Sequence, residues 1–463
     1  MADKPSDALV FFGATGNLAY KQIFPSLVGL VRDEGLNVPI IGVANAGWTL
    51  DQLRTRAIDS LRHHGGADPK AMQQLLGLLH YVDGDYGDES TFNALREQLG
   101  HAKRPLHYLA VPPSLFATVA EALAKSGCAE GGRLVIEKPF GHDRATARTL
   151  SRLLLQYFVA KNIFLIDHYL GKEPVQSIAY TRFANSMFEP LWTRGHVSSI
   201  QITMAENFGV QDRGRFYDET GALRDVLQNH MLQVLAQLTM DPPAGEEYEA
   251  MRDQKAALLK AVRPLEASDM VRGQYAGYQS VPGVRARSTT ETFVAVKLHI
   301  DSWRWAGVPI FIRVGKFLPV TATEIMVHFK RPPRETFDEL VPMSSGHVRM
   351  RISPDVHFAM GVRVKLPGDR MVGEDVELVL SDRAPDRKPP YQRLLSDAMR
   401  GNGELFGRDD IADAQWRIVE PVLGDATPVY PYESGSWGPD EAQALIGPDG
   451  PWHNPNPATE EAV

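Results

Sequence analysis

Cysteine is almost absent from this chain, since its 463 residues include only Cys128. One cysteine excludes an intrachain disulfide, and with it the class of small secreted domains held together by disulfides. The first residues, up to Asp7, contain no basic stretch followed by an apolar one, and no later segment offers ~20 uninterrupted apolar residues. We therefore expect a cytoplasmic protein that has no membrane partner.

An excess of basic residues is also missing. The chain has 49 Lys and Arg against 57 Asp and Glu, which gives a formal charge of -8. A negative balance argues against general affinity for nucleic acid or for anionic membranes. We expect no nucleic-acid partner and no metal site, and any phosphate that binds must be captured by a local group.

The length of the chain predicts two domains, because single cores rarely grow beyond about 250 to 300 residues. From Ala8 to Tyr169, short apolar runs alternate with amphipathic stretches, which predicts a parallel sheet covered by helices. We expect an α/β Rossmann-like, doubly wound domain for dinucleotide binding over residues 1–177. Longer alternating segments follow and predict an α+β domain with a large, mainly antiparallel sheet over 178–446, then a flexible tail over 447–463.

The predicted elements follow this division. Strands of the first domain are expected near residues 8–12, 38–44, 80–83, 106–111, 133–137 and 163–167, with helices at 18–31, 50–62, 91–99, 115–126 and 143–158. Strands of the second are expected near 198–206, 291–300, 310–314, 325–329 and 357–364. Helices at Leu223 to Leu238 and Tyr391 to Met399 should pack on one side of the second sheet.

Two glycines, Gly13 and Gly16, follow the first apolar strand directly and precede a helical pattern. Glycine lets the backbone turn sharply and approach a pyrophosphate, which the helix N-terminus then receives. The same pair would also serve a purely structural turn. The surrounding alternation of strands and helices favours coenzyme binding.

The residue at the end of the second strand selects between dinucleotides, because a carboxylate there binds the ribose 2′-hydroxyl and an arginine binds the 2′-phosphate. In this chain the position is Asn45. Asparagine neither repels the phosphate nor pairs with it. We therefore expect weak discrimination between the two coenzymes unless Arg54 or another residue reaches in.

A polar cluster, Asp167-His168-Tyr169-Leu170-Gly171-Lys172, follows the last strand of the first domain, where open α/β sheets bind ligands. If a helix starts at Leu170, His168 and Lys172 lie one turn apart and can donate to one phosphate. The alternative is a cluster of solvated surface residues.

His230 lies beside the apolar stripe of the helix predicted over Leu223 to Leu238, five residues after Asp225. A histidine in such a place is more often a core residue whose hydrogen bonds are satisfied. Oxidation of an alcohol, however, needs a base for the hydroxyl proton, and a neutral histidine supported by a carboxylate suits that task.

Two further segments place polar residues among apolar ones, at Glu137-Lys138-Pro139 after the fifth strand and at Lys316 after a strand of the second domain. Lys138 could position the nicotinamide or the substrate. Both lysines could instead be solvated surface residues. The sequence leaves open whether the bond before Pro139 is cis.

Taken in order, these segments resemble the glucose-6-phosphate dehydrogenase family over nearly the whole chain. The resemblance rests on the motifs GATGNLA at residue 13, EKPFG at 137, IDHYLGKE at 166, RDVLQNH at 224, GK at 315, YQRLLSD at 391 and GSWGP at 435. It implies oxidation of glucose 6-phosphate to the 1,5-lactone in the oxidative pentose phosphate pathway, with NADP as coenzyme. It also implies a homodimer or homotetramer built through the large sheet.

The resemblance assigns roles residue by residue. His230 would accept the C1 hydroxyl proton and Asp167, from the other domain, would orient it. The 6-phosphate would be held by His168, Tyr169 and Lys172, and the sugar hydroxyls by Glu206, Asp225 and Lys316, with Lys138 between substrate and coenzyme. The coenzyme site would comprise Gly13, Ala14, Thr15, Gly16, Asn17, Leu18, Asn45 and Lys138.

Four positions depart from the family pattern by losing a charged residue: Asn17, Gln22, Asn45 and Thr321. A lost hydrogen bond to a charged group costs on the order of 1.5 to 3 kcal/mol when nothing replaces it. We therefore expect a weaker preference for NADP than is typical of the family, NAD as a usable coenzyme, and weaker substrate binding.

Two other functions remain open from the sequence. One is a dehydrogenase of the Glu-Lys-Pro type acting on a sugar without phosphate, against which the group at His168, Tyr169 and Lys172 argues. The other is a sensor that binds sugar phosphate or coenzyme with little turnover, which the lost charges suggest. The presence of Asp167, Lys138 and His230 argues against a sensor, because a pure binder needs no general base.

Overall fold

The strands and helices are taken from a computed structural model that describes residues 4–64, 68–245, 247–334, 336–337, 346–382 and 388–457. In chain order the strands are β1 (Ala8–Phe12), β2 (Ile40–Ala44), β3 (Leu79–Asp83), β4 (Pro105–Leu109), β5 (Arg133–Ile136), β6 (Ile163–Ile166), β7 (Val197–Ala205), β8 (Met270–Tyr275), β9 (Phe293–Leu298), β10 (Ile310–Gly315), β11 (Ala322–Phe329), β12 (His347–Ser353), β13 (Val356–Lys365), β14 (Gly373–Asp382), β15 (Phe406–Gly407) and β16 (Val429–Tyr432).

Helices lie between these strands. They are α1 (Phe24–Glu34), α2 (Leu50–His64), α3 (Pro69–Leu78), α4 (Glu89–Leu99), α5 (Phe116–Lys125), α6 (Arg144–Tyr157), α7 (Glu173–Ala184), α8 (Phe188–Leu191), α9 (Gly214–Ala222), α10 (Leu232–Thr239), α11 (Tyr248–Ala261), α12 (Pro390–Arg400), α13 (Asp409–Val419) and α14 (Glu441–Ile446). Two π-helical stretches, Ala19–Ile23 and Leu223–Met231, run directly into α1 and α10.

The chain divides into two compact units. The first comprises Met1–Glu173, Ala244–Arg252 and Asp386–Asp413, and the second comprises Pro174–Pro243, Asp253–Pro385 and Ala414–Val463. The first boundary lies four residues before the predicted one at 177. Two later segments also return to the first unit, which a division by sequence order does not anticipate.

The first unit is built on a parallel sheet in the order β15-β6-β5-β4-β1-β2-β3, in which only the short β15 runs antiparallel. Residues of β1 alternate between two cores, with Leu9 and Phe11 facing α1, α2 and α12, and Val10 and Phe12 facing α4 and α5. Burial on both faces explains why β1 is apolar throughout. The predicted doubly wound α/β architecture is confirmed.

The second unit contains the sheet β14-β13-β12-β11-β7-β10-β9-β8-β16, in which β10 and β7 pair in parallel, as do β16 and β8, and the remaining neighbours are antiparallel. The predicted α+β domain with a large, mainly antiparallel sheet is therefore confirmed. Sequence patterns did not predict β8, β12, β14 or β16.

The predicted position of the helix over Tyr391 to Met399 is wrong. This helix, α12, belongs to the first unit and buries Leu394, Leu395 and Ala398 with the core of α1. Polar contacts fix the pairing, because the Gln392 amide donates to Asp33 at 2.8 Å and the Ser396 hydroxyl donates to Glu34.

A flexible tail was expected over residues 447–463, but packing and hydrogen bonds hold the described part, residues 447–457, in place. Trp452 is buried in the second core, and its indole N–H donates to the carbonyl of Ala442 at 2.9 Å. The carbonyl of His453 accepts from Arg313 at 2.8 Å. The buried Trp452 thus anchors a segment whose Pro-rich composition indicated a flexible tail. Residues 458–463 lie outside the described residues.

Candidate active site

The glycine turn begins at the carboxyl end of β1, beside β4, where the strand order of the sheet reverses. Gly13 has φ of 78°, and a Cβ built on it would lie 2.2 Å from the carbonyl oxygen of Ala110. Only glycine fits this position without strain. The tight turn into a helix at the switch point fits the pyrophosphate of a dinucleotide.

The other predicted coenzyme residues differ in what they can offer. Ala14 is buried, so only its backbone is available, whereas Thr15 and Leu18 are half-buried and Gly16 and Asn17 are exposed. The helix after them starts with the π-helical stretch Ala19–Ile23. Turns of π-helix are frequently found at functional sites.

Asn45 is exposed directly after β2, as predicted, and its amide Nδ2 donates to a carboxylate oxygen of Asp85 at 3.0 Å. Arg54 is occupied elsewhere, since its Nε donates to the carbonyl of Leu76 at 3.2 Å. Asn45 is thus joined to an acidic residue rather than to a basic one.

Lys138 follows β5, and its peptide bond with Pro139 is cis. The preceding residue, Glu137, accepts a hydrogen bond from the Tyr108 hydroxyl at 2.5 Å. Burial raises the pKa of Glu137, which the hydrogen bonds from Tyr108 and Tyr391 oppose. The carboxyl group fixes the strand end from which Lys138 emerges.

The polar cluster after β6 lies next to Lys138, because β5 and β6 are neighbouring parallel strands. Asp167 is buried and accepts from the backbone N–H of Tyr169 at 2.9 Å. The ammonium of Lys172 lies 3.9 Å from the centroid of the Tyr169 ring, and the His168 ring lies edge-on to the same ring. The structure brings the four predicted residues together.

The conformation of this cluster differs from the expectation. Residues 168–171 form turns, and α7 starts at Glu173 rather than at Leu170. Close packing at Gly171 leaves little room for a side chain, because a Cβ there would lie 3.1 Å from the carbonyl oxygen of Pro390. His168 and Lys172 therefore approach through a turn around Tyr169 and not through one turn of a helix.

In the second unit, His230 is 2% exposed and lies in the π-helical stretch Leu223–Met231. Its backbone N–H is bonded to the side chain of Asn229 at 2.6 Å. The carbonyl of Asn229 accepts from Gln415 at 3.1 Å. This stretch also contains the predicted site residue Asp225, whereas the other described π-helical stretch, Ala19–Ile23, starts directly after the predicted coenzyme residue Leu18.

Three predicted sugar-binding residues surround Tyr217. The ammonium of Lys316 pairs with the carboxylate of Glu206 and lies 5.5 Å from the Tyr217 ring centroid. Burial, and then the charges of Asp225 and Glu206, raise the pKa of the Tyr217 hydroxyl far above its usual value. Sequence reasoning missed Tyr217, for which no motif gives a sign.

The departures at Gln22 and Thr321 have different surroundings. Gln22 is exposed, and its carbonyl accepts from the Ser26 hydroxyl at 2.7 Å. The Thr321 hydroxyl donates to the Asn207 side chain at 2.7 Å, next to Glu206. Thr321 thus supports the Glu206 loop but adds no charge to the site.

Two other features, a metal site and a membrane-spanning helix, are absent from the described residues. No group of three or more His, Cys, Asp or Glu side chains there has the arrangement of a metal site. In the same part of the chain, no helix has both the length and the apolarity needed to span a membrane.

Comparison with known proteins gives a consistent result over the whole chain. Residues 10–177 match the family model "Glucose-6-phosphate dehydrogenase, NAD binding domain", and residues 179–453 match "Glucose-6-phosphate dehydrogenase, C-terminal domain". Glucose-6-phosphate 1-dehydrogenase 1 of Mycobacterium tuberculosis is 43% identical over 97% of both chains, and the enzyme of Aggregatibacter actinomycetemcomitans is 37% identical over 98% of this chain and 99% of its own.

Solved structures give the same answer. The crystal structure of glucose-6-phosphate 1-dehydrogenase from Mycobacterium avium superposes with a TM-score of 0.92 at 44% identity, covering 98% of this chain and 99% of its own. A glucose-6-phosphate dehydrogenase in complex with its substrate glucose-6-phosphate has a TM-score of 0.90 at 32% identity and covers 98% of this chain and 100% of its own.

Proposed function

Since this chain belongs to the glucose-6-phosphate dehydrogenase family, we propose that it oxidises D-glucose 6-phosphate at C1 to 6-phospho-D-glucono-1,5-lactone, with hydride transfer to a nicotinamide coenzyme. The observation that carries this function is the 43% identity to a curated glucose-6-phosphate 1-dehydrogenase over 97% of both chains. The Lys172 ammonium and the His168 ring beside Tyr169 support a phosphorylated substrate, because both side chains can donate hydrogen bonds to a phosphate dianion.

The reaction breaks the C1–H and O1–H bonds of the sugar and forms the lactone carbonyl. The bound coenzyme supplies the nicotinamide ring that takes the hydride. A ring nitrogen of His230 takes the hydroxyl proton, and its burial keeps water away from this transfer. The orientation of His230 by Asp167 stays a prediction.

The substrate contacts are proposed from the same groups. His168 and Lys172 donate to the 6-phosphate, and Tyr169 positions the Lys172 ammonium over its ring. Glu206, Asp225 and Lys316 bind the sugar hydroxyls. Lys138, at the neighbouring strand end, lies between substrate and coenzyme.

Replacement of the proposed base tests the catalytic role directly. For His230→Asn we expect kcat to fall by about 10²- to 10⁴-fold, the usual contribution of a general base, while sugar phosphate still binds. Initial rates and calorimetric titration of glucose 6-phosphate measure the two properties. His101→Asn, at an exposed site on the first unit, is the matched control.

Three outcomes of this experiment are informative. Unchanged turnover in His230→Asn removes that residue from its role. If the wild-type protein binds glucose 6-phosphate but reduces no coenzyme, it is a sensor and not a dehydrogenase. Faster turnover of glucose than of glucose 6-phosphate identifies the dehydrogenase of sugars without phosphate.

For the coenzyme, we infer that NAD is used as well as NADP, with a weaker preference for NADP than the family usually has. The neutral Asn45 at the end of β2 and the engagement of Arg54 with Leu76 support this inference. The ratio of kcat/KM for the two coenzymes measures it. A strong preference for NADP would contradict it.

A homodimer or homotetramer is proposed because the edge strand β14 exposes adjacent apolar side chains. Leu378, Val379 and Leu380 are 61%, 48% and 71% exposed, and Val362 and Val364 on the paired β13 are also exposed. An apolar sheet edge of this kind is normally covered by a partner. Light scattering on wild type and Leu380→Lys tests this, and a monomeric wild type would contradict it.

The proposed cytoplasmic location rests on the sequence, in which the single Cys128 is a buried free thiol. Cell fractionation provides the test. Recovery with a cytosolic marker supports the proposal, and recovery with membranes or secreted proteins contradicts it.

A further inference from the structure

The loop after β3 is tied to both neighbouring strand ends. The Tyr86 hydroxyl accepts a hydrogen bond from the Gly13 N–H at 3.0 Å and donates to the Val43 carbonyl at 3.3 Å. One residue earlier, Asp85 accepts from the Asn45 amide at 3.0 Å. Asp85 is therefore fixed beside the end of β2, on the loop that also supports the glycine turn.

A second carboxylate lies at the same strand ends. Asp83 accepts from the backbone N–H groups of Ala46 and Trp48 at 3.1 and 3.2 Å. Burial opposes ionisation of Asp83, but hydrogen bonds from Tyr81 and from this backbone outweigh it and lower the pKa of the carboxyl. The loop after β2 is thus folded around one carboxylate and joined to another.

The end of β2 is where a dinucleotide-binding fold contacts the adenosine ribose, and a carboxylate there accepts a hydrogen bond from the 2′-hydroxyl. We propose that Asp85 is a specificity-determining residue that binds the ribose 2′-hydroxyl of NAD and repels the 2′-phosphate of NADP. The Asn45 amide holds this carboxylate in place. The inference rests on the proposed function, because it requires a coenzyme in the cradle at Gly13.

Two arginines of α2 define the competing explanation. Arg54 is bonded to the Leu76 carbonyl, but the guanidinium of Arg56 lies 4.6 Å from the Tyr20 ring centroid and 5.9 Å from that of Trp48. Trp48 belongs to the loop that contains Asn45. Arg56 is thus the cation that could serve a 2′-phosphate in place of the missing arginine.

Equilibrium binding separates the two explanations without turnover. We would titrate wild type, Asp85→Asn, Asp85→Glu and Arg56→Gln with NAD⁺ and with NADP⁺ by calorimetry, in the absence of sugar. The ratio of the NADP⁺ Kd to the NAD⁺ Kd should fall by about tenfold in Asp85→Asn, because one like charge beside the phosphate is removed. Asp85→Glu retains the charge and should keep the wild-type ratio within about threefold.

The matched control is Asp88→Asn, which removes the same charge from an exposed position three residues along the loop. Its ratio should change by less than about twofold, because screening weakens the effect of a more distant surface charge. Thermal unfolding of each variant reports whether the loop change disturbs the fold. If Asp85→Asn is unstable, Asp85→Ser, which also removes the charge, provides the measurement and should lower the ratio in the same way.

An unchanged ratio in Asp85→Asn overturns the proposal. A loss of NADP⁺ affinity in Arg56→Gln that exceeds the gain in Asp85→Asn also overturns it, and assigns the 2′ position to Arg56. Failure of the proposed function is read separately, as the absence of coenzyme reduction by the wild type with glucose 6-phosphate, because the titrations of NAD⁺ and NADP⁺ contain no sugar. Binding of both with an unchanged ratio contradicts only the role of Asp85.

Discussion

The two sides of the parallel sheet in the first unit differ in the polar side chains at their carboxyl ends. On one side, the turn after β6 holds His168 and the Lys172 ammonium against the ring of Tyr169. On the other side, Asp83 at the end of β3 and Asp85 after it contact the loop after β2. Both positions are strand ends at which α/β folds bind phosphorylated ligands, so side chains rather than backbone architecture decide where phosphate is accepted.

This difference matches the two proposed ligands, the sugar phosphate at one side and the coenzyme ribose at the other. The β6 side is suited to a sugar phosphate, because an ammonium held over an aromatic ring can donate to a dianion. The side at β2 and β3 is suited to a ribose hydroxyl. Substitutions that change the charge of either side should therefore affect one ligand and leave the other unchanged.

Removal of the cation on the β6 side should have the largest effect. For Lys172→Ala we expect the KM for glucose 6-phosphate to rise by about 100-fold, because a hydrogen bond between charged groups is lost. The KM for NAD should stay within about twofold of wild type. Initial rates measure both, with Lys125→Ala on α5 as the control, and an unchanged sugar KM would refute the phosphate role of Lys172.

Introduction of a positive charge at the ends of β2 and β3, in place of the negative one, should have the next largest effect. Asn45→Arg alone should improve NADP affinity by only about threefold, because the new guanidinium pairs with Asp85. Asn45→Arg combined with Asp85→Asn should improve it by more than about tenfold. Calorimetric Kd values for the four members of the cycle give the coupling, and additive effects would show that Asp85 does not face this position.

A substitution that leaves all charges unchanged should affect the binding of NAD⁺ and NADP⁺ equally. Tyr86→Phe removes the hydroxyl that bonds Gly13 and Val43 without changing any charge. We expect NAD⁺ and NADP⁺ to bind about fivefold more weakly, since one neutral hydrogen bond contributes about 1 kcal/mol. The measurement is the pair of Kd values, and a loss confined to one coenzyme would contradict a shared role for this tyrosine.

The smallest expected effect concerns a carboxyl on α12, away from both strand ends. Burial, and then the charge of Glu404, raise the pKa of Asp397 from 3.8 to about 6. Because the folded pKa is the higher one, Asp397 costs stability increasingly as pH rises from 4 towards 6, and the cost is full above that range.

Asp397→Asn removes this cost. We expect the variant to match wild type near pH 4 and to exceed its unfolding free energy by about 1 kcal/mol at pH 7, after allowance for partial exposure. Urea unfolding at both pH values is the measurement. Equal stability at both values would show that the carboxyl is fully solvated.

Local pattern predicted much of the first unit. The run Ala8–Phe12 was predicted to the residue because five buried apolar residues end at a glycine that the turn requires. The sequence pattern did not place α12 in the correct unit. Its apolar stripe indicates that one face is buried, but not that this face packs on α1, where Gln392 contacts Asp33 more than 350 residues earlier. Contacts between distant segments leave no periodicity in the sequence.

The candidate site shows the same division. Asn45 was predicted from its position after a strand, whereas Asp85 was missed because the hydrogen bond that joins it to Asn45 links residues 40 positions apart. The rule that ligands bind at carboxyl ends of strands, applied to the polar residues after β3, would have found it. The turn over residues 168–171, in place of the expected start of a helix at Leu170, was also missed.

The most direct test of this account is the absorbance of reduced coenzyme formed by purified protein with glucose 6-phosphate, in parallel assays with NAD, with NADP and without sugar. We predict reduction that depends on the sugar and, because of the carboxylate proposed at Asp85, a kcat/KM for NAD at least equal to that for NADP. Absence of sugar-dependent reduction with either coenzyme, in folded protein, would contradict it.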